Sequence, residues 1–135
     1  MKVPVFRFEE EILTDAPIEL IEGKLGDWNE VCSRLPRFRA IRQEGEAHYT
    51  KMRPWLGERD ILLQPLDKDG ERIRLQWFLT PLAGLEEHGG IEAWPEEGKT
   101  RLWLWGRLKG WPSLLTIGAV RFVSDQSLEK FVGTL

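Results

Sequence analysis

The side chains able to do chemistry are few and scattered. Glu10 falls in the alternating run Phe6, Phe8, Glu10, Ile12, so on a strand its carboxylate is expected on an otherwise apolar face. A carboxylate there must be paired, protonated or used to orient a polar group of a ligand, unless the strand end lets it reach solvent or an arginine. His48 has the chemistry of a proton acceptor, but neither a Ser or Cys nucleophile nor an orienting acid stands near it in the sequence. His48 and Tyr49 must point to opposite faces of one strand, and their apolar surroundings favour Tyr49 as the inward residue. His88, beside Glu86 and Glu87, reads as solvated. Two histidines and the single cysteine, Cys32, are too few for a zinc site of the usual spacing, and Cys32 has no disulfide partner within the chain. There is no glycine-rich phosphate loop and no pair of carboxylates at catalytic spacing. The sequence therefore assigns no catalytic residue, no metal ligands and no cofactor.

Charge narrows the partners. Basic residues between Arg34 and Arg59 are interleaved with Phe38, Tyr49 and Trp55, a pattern that an RNA-binding surface can show. Against this, 19 Lys and Arg face 22 Asp and Glu for a net charge of -3, so no bulk positive field gathers a phosphate backbone. Arg37 and Arg39 at alternate positions more simply give a solvated strand face. Nucleic acid is not an expected partner. No apolar stretch approaches the roughly 18 residues of a membrane span, so stable membrane insertion is not expected either. The opening MKVPVFRFEEEIL lacks the apolar core of a secretion signal, and with one cysteine a cytoplasmic setting is the expectation. At 135 residues and 41% hydrophobic, the chain suits one domain over residues 1–135.

The elements that must position these residues follow from periodicity. Alternation from Val3 to Ile12 predicts a strand. Asp15 and Pro17 signal a helix start, and Ile18, Ile21 and Leu25 then form one apolar stripe. Asp27 opens a second short helix carrying Trp28, Val31, Cys32 and Leu35, which ends at Pro36. Strands are expected over Arg37 to Gly45, Glu46 to Arg53 and Glu58 to Leu66, with Asp67-Lys68-Asp69-Gly70 as a turn. Arg72 to Leu79 alternates cleanly, with Ile73, Leu75, Trp77 and Leu79 on one side. After Pro81 and Gly84, Leu85 to Trp94 turns at Pro95–Gly98 and returns as Thr100 to Lys109. A long amphipathic helix is expected from Pro112 to Leu135, with Ile117, Val120, Ser124, Leu128 and Phe131 at helical spacing. The sum is an α+β fold built on an antiparallel meander.

Three segments carry a resemblance to a known family. These are the opening strand running into Thr14-Asp15-Ala16-Pro17-Ile18-Glu19, the break from Gly26-Asp27-Trp28 to Leu35-Pro36, and the hairpin from Gly90 to Leu102. Together they resemble the START-like, or polyketide-cyclase/dehydrase-like, superfamily, over almost the whole chain. Ile91 stands where the family often has a tryptophan, with Trp94 displaced toward the turn. The resemblance implies a curved antiparallel sheet wrapped around a long C-terminal helix, the helix-grip fold, with a cavity between them. It also implies a small hydrophobic or amphipathic ligand: a lipid, a quinone or an aromatic polyketide-like molecule. The ligand-binding residues expected on that basis are Phe8, Glu10, Tyr49, Leu63, Trp77, Ile91, Ile117, Val120 and Ser124. A cyclase- or dehydrase-type enzyme, with Glu10 or His48 moving a proton, is the alternative.

The tryptophans suggest a third possibility. Seven are present, and Leu102-Trp103-Leu104-Trp105 makes one strand apolar on both faces, which requires cover on both. If the leucines face the helix, Trp103 and Trp105 form an outward patch for a covering segment or a homodimer partner. The opposite facing would make the indoles cavity walls.

Overall fold

The alternation of Phe6, Phe8, Glu10 and Ile12 with Arg7, Glu9 and Glu11 produces strand β1 (Val5–Thr14), which ends two residues later than its pattern predicts. The structure is a computed structural model and describes residues 3, 5–34, 38–45, 47–52, 57–82, 84–110 and 131. Two helices follow β1: α1 (Ile18–Leu25) and α2 (Trp28–Arg34). Asp15 does not cap α1. Pro17 occupies the N-cap position with no side-chain cap, and Asp15 pairs instead with Lys99 at 3.4 Å. The start of α1 is tied down by Thr100, whose buried hydroxyl donates to the Ala16 carbonyl at 2.8 Å. Asp27 does cap α2, accepting from the Asn29 amide at 3.0 Å.

The remaining strands are β2 (Phe38–Glu44), β3 (Ala47–Met52), β4 (Gly57–Leu63), β5 (Asp67–Asp69), β6 (Arg72–Leu82), β7 (Leu85–Glu96) and β8 (Lys99–Lys109). They form one antiparallel sheet in the order β1-β8-β7-β6-β4-β3-β2, with β5 paired to β6. Asp67–Asp69, expected within a turn, is thus a short strand paired with Arg72–Arg74, and the reversal shrinks to Gly70 and Glu71. Gly70 has φ +64°, a conformation that costs glycine nothing. The β7–β8 reversal at Glu97 and Gly98 likewise has positive φ at both residues, as a two-residue hairpin turn matched to strand twist requires.

The core lies on one face of this sheet, the inner face. There Ile21, Leu25, Trp28, Val31 and Cys32 of the helices pack with Ile73, Leu75, Trp77, Leu79, Ile91, Ala93, Leu102 and Leu104. Helices of eight and seven residues are marginal in isolation. They are held by this contact, each fully buried aliphatic side chain contributing about 1.5–3 kcal/mol. Of the expected C-terminal helix only Phe131 is described; it is helical, fully buried and part of the same core. The rest of that helix, with Ile117, Val120, Ser124 and Leu128, lies outside the described residues.

Candidate functional site

Register across the sheet decides which side chains share the inner face. One row runs Phe8, Gly106, Gly89, Trp77, Leu63; the next runs Glu10, Leu104, Ile91, Leu75. Phe8, Glu10, Leu63, Trp77 and Ile91 are therefore brought to one surface. Phe8, however, packs with Phe6, Leu85 and Leu108 as a group separate from the main core, and its ring occupies the space that a side chain on Gly106 would fill. Trp77 lies over Gly89 in the same way: a Cβ there would sit 2.7 Å from the indole nitrogen. Beyond it, Trp28 of α2 packs at 6.2 Å between ring centroids. Glu10 does face inward and is half-buried.

Tyr49 is a correction. The register pairs His48 with Ile61 and Tyr49 with Asp60, and Ile61 is a core residue, so His48 shares the inner face and Tyr49 faces out. The apolar neighbours of Tyr49 in sequence carry no information about this; the pairing with β4 does. Thr50, fully buried, follows on the neighbouring inner-face row and approaches Cys32 of α2, Sγ to Oγ1 4.0 Å.

A second inner-face carboxylate went unread in the sequence. Glu87 is paired in register with Leu79, is 2% exposed, and accepts a hydrogen bond from the Trp77 indole at 2.9 Å. The signal was present: counting back in twos from Ile91 gives Gly89, Glu87 and Leu85. The glycine lets the Trp77 ring lie flat on β7 and reach the glutamate. A carboxylate pinned by a buried donor is a fixed acceptor, suited to orienting a polar group on an otherwise apolar molecule.

The outer face is also aromatic. Leu102 and Leu104 are buried in the core, and Trp103 and Trp105 lie opposite, half-buried, 6.0 Å apart between centroids. Neighbouring side chains on the sheet supply part of their cover: the Trp103 indole donates to Glu9 at 3.2 Å, and Trp105 lies over Gly90. His88 is not a solvated residue. It sits in β7, stacked on Phe78 at 4.2 Å, edge-on to Trp105 at 4.9 Å, and 2.9 Å from the Gln76 amide oxygen. Burial, and after it the positive charge of Arg107, lowers its pKa. Toward the β7–β8 hairpin, buried Glu92 is held by Arg72 at 2.8 Å and Arg74 at 3.3 Å, and the Arg72 guanidinium lies over Trp94. Among the described residues no cluster of three His, Cys, Asp or Glu side chains is placed to hold a metal ion, and no helix is long and apolar enough to cross a membrane.

This architecture defines a class by fold: an antiparallel sheet with helices packed on one face, consistent with the helix-grip fold. A hypothetical protein of Helicobacter pylori matches it with a TM-score of 0.73 at 11% identity, covering 97% of this chain and 87% of that one. Truncated norcoclaurine synthase from Thalictrum flavum matches at 0.63 and 11% identity, covering 98% and 92%. Ara h 8.0201 matches at 0.58 and 13% identity, covering 97% of both chains. No family model matches the sequence, and no curated protein does. At these identities the shared property is the fold.

Proposed function

We propose that this protein binds a small apolar or amphipathic ligand on the inner face of its sheet, around Trp77, Glu87, Ile91 and Leu63. The observation that carries this reading is the buried Glu87 carboxylate held by the Trp77 indole. It is a fixed polar acceptor set among apolar side chains of the inner face, the combination that fixes the orientation of a mostly hydrophobic ligand. The fold supports it, because the resemblance in sequence implies a cavity on this side of the sheet. A lipid, quinone or aromatic polyketide-like molecule fits the description. Native mass spectrometry of protein purified without detergent tests it: a retained non-covalent mass is expected. A bare polypeptide mass that also fails to enhance the fluorescence of anilinonaphthalene sulfonate would overturn it.

A second reading concerns the outer face. Trp103 and Trp105 stand side by side there, half-buried, with ring centroids 6.0 Å apart. We propose that this surface joins a second copy of the chain in a two-fold dimer, which covers the half-buried indoles. Sedimentation of the intact protein tests it, and a monomer at all concentrations would overturn it.

A further inference from the structure

The outer face of the sheet carries a groove of about 1000 Å³ that crosses β4, β6, β7 and β8. Register explains its shape. Leu62, Phe78, His88 and Arg107 are successive partners across the four strands and form one wall. Two positions along each strand, on the same face, Asp60, Thr80, Glu86 and Lys109 form the other. Between the walls the floor is backbone, because Ile61, Leu79 and Glu87 turn their side chains into the buried inner face.

The two walls differ in chemistry. Leu62 is 62% exposed, and its neighbour Phe78 stacks on His88 at 4.2 Å, so the first wall is a continuous apolar and aromatic surface. His88, its pKa lowered by burial and then by Arg107, is neutral at pH 7 and adds no charge to it. That wall ends in cations. Arg107 faces Arg7 of β1 directly across the ladder and shares its face of β8 with Lys109. All three are exposed, and none forms an ion pair among the described residues. Like charges directly opposite on paired strands destabilise a sheet, and an anion laid against them relieves that repulsion through charge-assisted hydrogen bonds. The nearest carboxylates by register, Glu86 and Glu9, stand opposite Lys109 and Trp105 rather than Arg107. At the far end of the groove, three strand spacings or roughly 14 Å away, the exposed Asp60 carboxylate and Thr80 hydroxyl offer acceptors.

We propose that this groove is a second ligand site, on the face of the sheet away from the helices, for an elongated aromatic acid with a hydroxyl at its far end. The acid group pairs with Arg107 and Lys109, the ring system lies along Leu62, Phe78 and His88, and the hydroxyl donates to Asp60. The site is independent of the inner-face reading, and the two histidines of the chain separate them: His88 lines the groove, whereas His48 lies on the inner face. The test is a proton NMR titration of the intact protein with a biphenyl carboxylate that bears a para-hydroxyl on its far ring. The His88 ring resonances should move and those of His48 should stay in place. The affinity read from that movement should fall about tenfold in Arg107→Gln, as loss of a hydrogen bond to a charged group requires. The neutral para-hydroxybiphenyl, which lacks the acid, should bind parent and Arg107→Gln alike. Asp60→Ala should weaken the hydroxylated acid and leave plain biphenyl carboxylate unaffected. Both substituted side chains are exposed, so the fold should survive, and circular dichroism checks that it does. A His88 resonance that stays still up to the solubility of the probe, movement of His48 alone, or parental affinity for the hydroxylated acid in Arg107→Gln would overturn the site. None of these outcomes touches the inner-face reading, which is judged by its retained mass.

Discussion

Replacing Gly89 by alanine should cost about 1–3 kcal/mol, the usual penalty for forcing extra volume into a packed interior. The new Cβ would lie 2.7 Å from Trp77 Nε1, 2.8 Å from Cε2 and 2.9 Å from Cζ2, where relaxed carbon contacts need about 3.5–4.0 Å. The ring would have to retreat by roughly an ångström. It has little room to do so: Trp77 is 1% exposed, its N–H is held by Glu87, and Trp28 packs against it. Thermal unfolding followed by far-UV circular dichroism reads the effect, at roughly 3–5 °C per kcal/mol for a chain of this size. Gly23→Ala is the matched control, since a Cβ there meets nothing within 4 Å. Inside helix α1 it should gain about 0.5–1 kcal/mol. Combining Gly89→Ala with Trp77→Leu in a double-mutant cycle should recover part of the loss, because the colliding ring is gone. If Gly89→Ala proves as stable as the parent while Gly23→Ala behaves as stated, the packing of Trp77 on β7 is refuted.

Three further outcomes follow from the same geometry. Glu87→Leu should destabilise by about 1–3 kcal/mol more than Glu87→Gln, which keeps an acceptor for the buried indole; equal melting temperatures would remove the hydrogen bond from the account. His88 should titrate below its ordinary 6.5, so the unfolded chain takes up a proton that the folded chain resists. Its contribution to stability is then complete above 6.5 and is lost as pH falls through the lower folded value. A proton NMR midpoint at or above 6.5, or no upward movement of it in Arg107→Gln, would contradict the assigned cause. Trp105→Lys should convert the proposed dimer to monomer in sedimentation velocity, and a parent and variant that sediment identically would exclude the outer face as the contact.

Much of the fold was legible because strand periodicity is local. In β6, Ile73, Leu75, Trp77 and Leu79 alternate with Arg72, Arg74 and Gln76, and the apolar set is buried throughout. Where alternation was ambiguous, the sequence stopped short. Leu102 to Trp105 is apolar on both sides, so its period of two says that two faces exist but not which one meets the core. That was settled by pairing, Leu102 with Ala93 and Leu104 with Ile91. His48 and Tyr49 pose the same problem in β3, and the pairing of His48 with Ile61 resolves it.

The sequence by itself determined most of the element order up to Lys109 and the inward placement of Glu10 and Trp77, because each rests on patterns a few residues long, whereas the helix-grip class entered through a family resemblance. Tertiary structure alone decided that the Trp77 indole donates to Glu87, that His88 belongs to an aromatic cluster, and that β4 and β6 pair over only three residues. Glu87 and His88 sit among charged and polar neighbours in the chain. Their environments are supplied by side chains from other strands: Trp77 reaching across Gly89 for the one, Phe78, Gln76 and Trp105 for the other. Pro81 announces a missing donor, and only the pairing shows that β6 loses regular register with both β4 and β7 beyond Leu79. Burial and pairing are properties of what lies across the sheet, and the spacing of residues along one strand carries no record of its neighbour's register.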